Sequence, residues 1–420
     1  MPAPDADLAR WIPRLLAAWR AASGAPARQD PGRDRRDRRN RRPEPQGRFG
    51  TRPPSSLRPP ADTLLPDELR QVAAAVEKLS RGLTRERQLA GARYMDDARL
   101  LGAYLLFYWP VSYLQARGVL SELPTKPRSV LDLGSGPGPV GLAALDAGAA
   151  EVLLADRSAK ALDAARALAV AAGEPVATRV WTPGQPLAAL AQGRRVDVVT
   201  MGHLLNELFQ ELPPAEADRR RAALVEEALA LVAPGGTVLV VEPALRDTSR
   251  ALLRVRDLLV AKGFAVRAPC LFRGACPALL KETDWCHAER PVEPPPVVAQ
   301  IAKAAGLRRE AVKMSYLAVA APGEAWAPPP PGRVFRIVSE PLPSKGRLRY
   351  MGCGPEGRMG LALQERHVTD ANRRFEGLLR GDVVALGEAE ARGDGLALGE
   401  RSSVEVIAAA GAALPGGGLP

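Results

Sequence analysis

The sequence predicts an α/β protein built on a parallel sheet, and three observations carry that expectation. The stretch "SVLDLGSGPGPVGLAALDAG" is a short apolar strand, a glycine-rich turn and the start of a helix. "EVLLADRS" followed by "SAKALDAARALAVAAG" repeats the strand-then-helix order, and "VATRVW", "VDVVTMGHLLNEL", "DRRRAALVEEALALVAPGG", "TVLVVEP" and "SRALLRVRDLLVAKGF" continue it. Strands alternating with helices at this spacing pair in parallel and are covered on both faces. The chain has 420 residues, 46% hydrophobic and 25% charged, the balance of a soluble globular protein with room for a large core. Its 40 prolines and 39 glycines place long connecting segments between the elements.

Taken in order, residues 1–59 read as an arginine-rich arm with a short helix at "DADLARWIPRLLAAWRAAS". Between Arg28 and Arg52 stand ten arginines against Asp30, Asp34, Asp37 and Glu44, a large share of the formal net charge of +11. Such a run has no apolar periodicity to offset its ordering entropy, so it is expected to be disordered, either as a solubilising linker or as a phosphate-binding arm. No window approaches the eighteen apolar residues of a membrane span, and Asp5 and Asp7 precede a short amphipathic pattern, without the basic-then-apolar order of a secretory signal. No membrane partner is expected. Residues 60–127 read as helical, with "LPDELRQVAAAVEKLSRGL" starting near Asp67 and "ARLLGAYLLFYWPVSYLQARGVL" apolar enough to pack on a domain. Residues 128–322 hold the alternating pattern, with a cysteine-bearing insertion at 268–290 before the last strand, "MSYLAVA". After the break "PGEAWAPPPPG", short β-like runs predict a small β unit over 323–400, and 401–420 reads as a tail.

In "DLGSGPG", Gly134, Gly136 and Gly138 lie where the first strand turns into a helix, and Asp132 opens the motif from the strand. Glycines permit the tight turn and a close approach of backbone to ligand. Asp156 ends the second strand, where a carboxylate can accept both hydroxyls of a ribose. The arrangement resembles the S-adenosylmethionine-dependent methyltransferase fold. That resemblance implies a Rossmann-like, seven-stranded sheet with its last strand antiparallel, Asp132 and the glycines around the methionine part of the cofactor, and Asp156 on its ribose. No acid follows the third strand, where Trp181 and Thr182 stand instead, so Trp181 is the residue expected to stack on the adenine. After the fourth strand, "MGHLLNEL" carries none of the usual catalytic motifs, which leaves His203, Asn206 and Glu207 as candidate catalytic groups or as pocket and cap residues.

Three of the four cysteines crowd into "APCLFRGACPALLKETDWCH": Cys270, Cys276 and Cys286, with Cys353 far beyond. Thiolates suit zinc or iron–sulfur clusters. Structural zinc sites pair cysteines two to four residues apart, and no such pair exists here. Irregular spacing suits a cluster better, although spacing alone leaves both open.

"PC", "CP" and "WCH" beyond the sixth strand, then "MSYLAVA", "SEPLPSKGRLRYMGCGPEG", and "HLLNEL" after the fourth strand together resemble the methyltransferase-like assembly proteins of the small ribosomal subunit, which occur on mitochondrial ribosomes and in bacteria. The resemblance spans roughly residues 60–390. It implies a 4Fe–4S cluster on Cys270, Cys276, Cys286 and Cys353, S-adenosylmethionine as second cofactor, and binding to small-subunit ribosomal RNA by a chain that is monomeric off the ribosome. Where family members carry Pro-His after the first cysteine, this chain has Leu271 and Phe272, which leaves the four-cysteine set. Lys345, Arg347 and Arg349, leading into Cys353, are the expected nucleic-acid contacts. The expected location is the cytoplasm of a bacterium, or the mitochondrion of a eukaryote. The alternatives are an active ribosomal RNA methyltransferase and a small-molecule methyltransferase with structural zinc.

Overall fold

The computed structural model describes residues 5–22, 61–307, 311–328 and 330–414. The Arg28–Arg52 run lies outside them.

The first sheet holds β1 (Ser129–Leu133), β2 (Glu151–Asp156), β3 (Ala177–Val180), β4 (Val196–Gly202), β5 (Val232–Pro243), β6 (Val266–Ala268), β7 (Ala288–Pro291) and β8 (Ala311–Ala320). Its order is β3-β2-β1-β4-β5-β8-β6, with β7 also on β8. Strands β1 to β5 pair in parallel, and β8 runs antiparallel to β5. The central strands are buried on both faces, as their unbroken apolar runs require.

The seven expected strands are β1 to β6 and β8, but the count is eight. The three residues of β6 cover only the Ala318–Val319 end of the ten-residue β8. The remaining edge is paired by β7, from Ala288 opposite Met314 to Pro291 opposite Ala311. An open edge of that length exposes unpaired backbone groups, and the end of the cysteine insertion covers them.

Helices Pro66–Ser80 and Ala98–Leu120, the latter with a π-turn at Tyr104–Tyr108, pack on one face of the sheet. The first begins at Pro66, with Asp67 in its first turn, and the Leu65 N–H donates to Glu68 Oε2 at 2.8 Å. Helix Ala6–Ala22 corrects the reading of 1–59 as an arm, because it is part of the core. Leu8, Trp11, Leu15, Leu16 and Trp19 are buried, and Trp11 Nε1 donates to Asp146 Oδ2 at 2.7 Å, a carboxylate also paired with Arg10.

The second sheet contains β9 (Arg333–Ile337), β10 (Leu342–Ser344), β11 (Arg347–Gly354), β12 (Gly357–Gln364), β13 (Val383–Leu386), β14 (Glu390–Arg392), β15 (Gly395–Leu398) and β16 (Val404–Ala408). Here the expected tail is partly strand: β16 pairs with β13 in the stretch beyond residue 400. β11 is antiparallel to β9 and β12, β12 is parallel to β15, and β13 is antiparallel to β9. The antiparallel pairs β14·β15 and β13·β16 make two bent strands, and these close the sheet into a small barrel. Phe335, Ile337, Tyr350, Leu361, Phe375, Val384 and Leu396 fill it.

The two sheets meet through a buried ionic knot. Glu122, just beyond helix Ala98–Leu120, accepts from Arg290 of β7 and from the Tyr316 hydroxyl of β8 (2.6 Å), and its Oε2 lies 3.1 Å from Arg336 Nη1 of β9.

Candidate functional site

A cavity of about 500 Å³ opens at the carboxyl ends of β1, β2 and β4, the place where open α/β sheets bind ligands. Gly134 and Gly136 line it at φ of +67° and +53°. A Cβ on Gly134 would also lie 2.6 Å from Leu204, so conformation and space both require glycine there. Asp156 Oδ2 accepts from the Gly136 N–H and Oδ1 from the Ser158 N–H, each at 2.8 Å. The carboxylate at the end of β2 thus fixes the glycine turn while lining the cavity. Gly138, at φ +77°, caps helix Pro139–Asp146 and packs on Leu154 and Ala165 away from the cavity lining.

Asp132 sits below the cavity. It is fully buried, accepting from Thr200 Oγ1 at 2.7 Å and the Gly141 N–H at 3.0 Å, so it braces β1 against β4 and the helix start. Burial pushes its pKa up to about 7 despite those two bonds. Trp181 forms part of the wall, its Nε1 donating to Gln185 O at 3.1 Å.

The three residues after β4 have different surroundings. His203 lines the cavity in a left-handed conformation, φ +58°, uncommon for a residue with a side chain. The Gln115 amide donates to Lys313 O at 2.8 Å, which turns its Oε1 to His203 Nε2 at 2.7 Å and makes that nitrogen the donor. Asn206 shapes the loop: its amide donates to His203 O, and its Oδ1 accepts from Arg87. Glu207 Oε1 accepts from the Tyr94 hydroxyl at 3.1 Å, and its Oε2 lies 3.4 Å from the Gly91 N–H. Burial raises Glu207 to about 7, and it raises Glu242, which receives the Leu205 and Asn206 N–H groups from below, to about 8.

Sequence reasoning missed the cover of this cavity. Residues 91–96 lie across its mouth, held by Glu207, by Arg157 donating to Gly91 O (2.8 Å), and by Ser158 Oγ donating to Asp96 Oδ1 (2.7 Å). The contacts join positions over sixty residues apart, and only the acids of "YMDDAR" hinted at a turn there.

The four cysteines line one second pocket of about 70 Å³ at the junction of the two sheets. Cys270, Cys276 and Cys286 come from the segment between β6 and β7, and Cys353 from β11. Among the described residues, no three His, Cys, Asp or Glu side chains converge tightly enough to hold a single metal ion. Burial, and then the neighbouring thiols, push Cys276 up to about 12; Cys286 rises to about 11, and Cys353 also rises. Arg336 and Arg358 line the same pocket, and Arg256 and Arg380 act electrostatically on its thiols. All four arginines have a buried Nε without an acceptor among the described residues. Arg256 also donates to the carbonyls of Phe272 and Gly274, holding the cysteine loop. His287 stacks on Trp285 at 4.1 Å, and its buried Nδ1 has no hydrogen-bond partner among the described residues. Lys345, Arg347 and Arg349 are exposed at the barrel hairpin that ends in Cys353.

The strand order, the antiparallel β8 and the glycine turn beneath a carboxyl-end cavity define a methyltransferase-like α/β protein. The family model described as "Mitochondrial small ribosomal subunit Rsm22" matches residues 101–385, well over half of the chain and including all four cysteines. The chain belongs to that family. No curated protein matches it. Among solved structures it is similar to an O-methyltransferase family protein from Burkholderia thailandensis (18% identity over 63% of this chain and 75% of that one, TM-score 0.35). It is also similar to a ribosomal protein L11 methylase from Lactobacillus delbrueckii subsp. bulgaricus (16%, 50% and 77%, TM-score 0.30) and to TrmN from Thermus thermophilus (20%, 52% and 53%, TM-score 0.31). The fold class rests on the strand order rather than on these distant likenesses. Among the described residues, no helix is long and apolar enough to cross a membrane.

Proposed function

We propose that this chain binds the RNA of the small ribosomal subunit during assembly or translation, holding S-adenosylmethionine in the 500 Å³ cavity and a 4Fe–4S cluster on Cys270, Cys276, Cys286 and Cys353. The observation that carries the reading is that four thiols, three from the segment between β6 and β7 and one from β11, line one pocket together with Arg336 and Arg358. A cluster binds each thiolate on a different iron, so it needs four sulfurs around a common space rather than a tight tetrahedron. The zinc alternative would draw the same thiols into a single tetrahedral set, and metal and sulfide analysis separates the two. The cluster with its thiolates would be anionic, and Arg336 and Arg358, which line the pocket while pairing with Glu122 and Asp284, would place cationic groups beside it.

In the cavity, Asp156 would accept the ribose hydroxyls, the Gly134–Gly136 backbone would face the methionine part, and Trp181 would take the adenine. Bound there, S-adenosylmethionine supplies an electrophilic methyl group. The chain's own residues hold the turn open through Asp156, exclude water with the 91–96 cover, and fix the His203 ring through Gln115. The strained, oriented His203 supports the active-enzyme version of the reading, in which the cavity methylates ribosomal RNA; transfer of labelled methyl to small subunits, lost in His203→Ala, is its test.

The main reading is tested by iron and sulfide analysis of anaerobically purified protein, with about four of each per chain expected. A colourless protein with one zinc would overturn the cluster. Wild-type protein that fails to co-sediment with small subunits would overturn the partner.

A further inference from the structure

We infer that the outer face of the C-terminal barrel is a binding track for single-stranded RNA, with β11 and β12 as its centre; this deepens the RNA-binding reading above and rests on it. Five strands close this barrel: β9 with β10, β11, β12, β13 with β14, and β15 with β16. The first three form an antiparallel meander, the third pairs in parallel with the fifth, and the first pairs antiparallel with the fourth. A five-stranded Greek-key barrel of this pairing is the OB arrangement, whose second and third strands and adjoining loops form a surface for oligonucleotides. Topology alone does not make a binding site. The side chains on that face supply the second argument.

Register fixes which residues share the face. On β11, Tyr350 points into the barrel core, so Arg347, Arg349 and Met351 point out; their partners on β12 are Gln364, Ala362 and Gly360. The parallel pairing places Ala397 and Gly395 of β15 beside Ala362 and Gly360, and Glu390 and Arg392 of β14 stand opposite those two. The result is a floor of glycine and alanine, with Arg347 and Arg349 on one rim, Arg392 with Glu390 on the other, and Lys345 at the hairpin turn. Lys345, Arg349 and Arg392 are exposed and form no ion pair among the described residues, so their charge is available to phosphates.

Three strand spacings separate the rims, about 14 Å. A low floor of that width accepts a splayed single strand whose bases lie flat on it. A duplex is read by elements that reach into its grooves, and this face has none. With no aromatic on the floor, the bases stack on guanidinium planes, so recognition is led by phosphates and tolerant of sequence.

The test uses full-length protein, a labelled oligouridine of twelve nucleotides and a duplex RNA of the same length, with anisotropy read over a salt series. The pair Arg347→Ala/Arg349→Ala is expected to weaken oligouridine binding at least tenfold and to flatten the log–log salt slope by about 1.4, the value for two single-strand phosphate contacts. Gly360→Glu is expected to weaken binding as much without moving the melting temperature, since a Cβ at Gly360 meets no atom within 4 Å. Duplex binding is expected to change little in either variant. Oligouridine binding unchanged in both variants overturns the inference, and so does an equal loss on the duplex. The small-subunit reading is decided separately: wild-type protein that fails to co-sediment with small subunits sinks that reading, while the oligouridine result still decides the barrel face.

Discussion

The knot at Glu122 makes the sharpest prediction about how the two sheets are held together. Its side chain is 1% exposed, and it faces Arg290, Arg336 and the Tyr316 hydroxyl at once. Glu122→Ala leaves two guanidiniums, 13% and 7% exposed, without their carboxylate in a site that water does not reach. Removing one partner of a buried pair costs about 3–5 kcal/mol, much of it from the charge left behind. With a denaturant slope near 3 kcal/mol/M, the urea midpoint should fall by roughly 1–2 M. If unpaired charge is the cause, adding Arg336→Met to Glu122→Leu should recover at least ~1 kcal/mol, whereas Arg336→Met alone should not stabilise. Urea titration by fluorescence and by circular dichroism together tests this and shows whether the sheets unfold in one transition. A loss below about 1 kcal/mol for Glu122→Ala, or no recovery in the double variant, would refute the reasoning.

Other consequences follow from the two pockets. Asp156→Ala removes the charge-assisted bonds from the Gly136 N–H of the glycine turn and from the Ser158 N–H, so S-adenosylmethionine affinity by calorimetry should fall at least tenfold while the fold is retained; unchanged heat would detach Asp156 from the site. Cys353→Ser should lower iron content while leaving circular dichroism intact, because only the fourth thiol is lost; full iron loading would remove Cys353 from the ligand set. Asp132, Glu207 and Glu242 all have folded pKa values raised by burial, to about 7, 7 and 8. Their contribution to stability is complete below the unfolded values near 4 and is lost as pH rises through 7 and 8, so the urea midpoint should decline from pH 6 to pH 9. Glu242→Gln should flatten that decline, and a midpoint that rises over the range would reverse the assignment.

The strands with apolar runs ending at glycine or acid, β1, β2, β4 and β5, could be read from the sequence because each declares itself within ten residues. β7 could not: "AERP" is polar and ends in proline, and it is a strand only because β6 leaves half of β8 unpaired. Helix Ala6–Ala22 was visible as an amphipathic pattern, yet its burial depends on Asp146, far along the chain. Barrel closure rests on the parallel pairing of β12 with β15 across more than thirty residues, which no local periodicity encodes. The candidate site divides in the same way. Asp156 and the glycines belong to one contiguous turn and were legible there. Asp132 has the right spacing for the cavity but points below it, and the clamp of Glu207 on Gly91 and Tyr94 is a long-range contact.

The position of Cys353 links the two proposed activities mechanically. It shares the outward side of β11 with Arg347 and Arg349, four residues beyond the second of these, or about 14 Å along a strand. Strand β11 is paired on both sides over its length, with β10 and β9 on one edge and β12 on the other. Any group that pulls Cys353 toward Cys270, Cys276 and Cys286 therefore fixes the whole strand, and with it the two arginines, relative to the first sheet. Near the thiols the seam carries two ion pairs, Arg358 to Asp284 at 3.2 Å and Arg380 to Glu289 at 3.8 Å, beside a small apolar cluster of Leu271 with Val334 and Val383. Partly exposed ion pairs of this kind contribute little. A four-thiolate cluster would dominate the junction, so oxygen-damaged protein should lose affinity for oligouridine in parallel with iron while the barrel itself stays folded. Full RNA affinity in iron-free protein would show that the knot at Glu122 suffices to set the face.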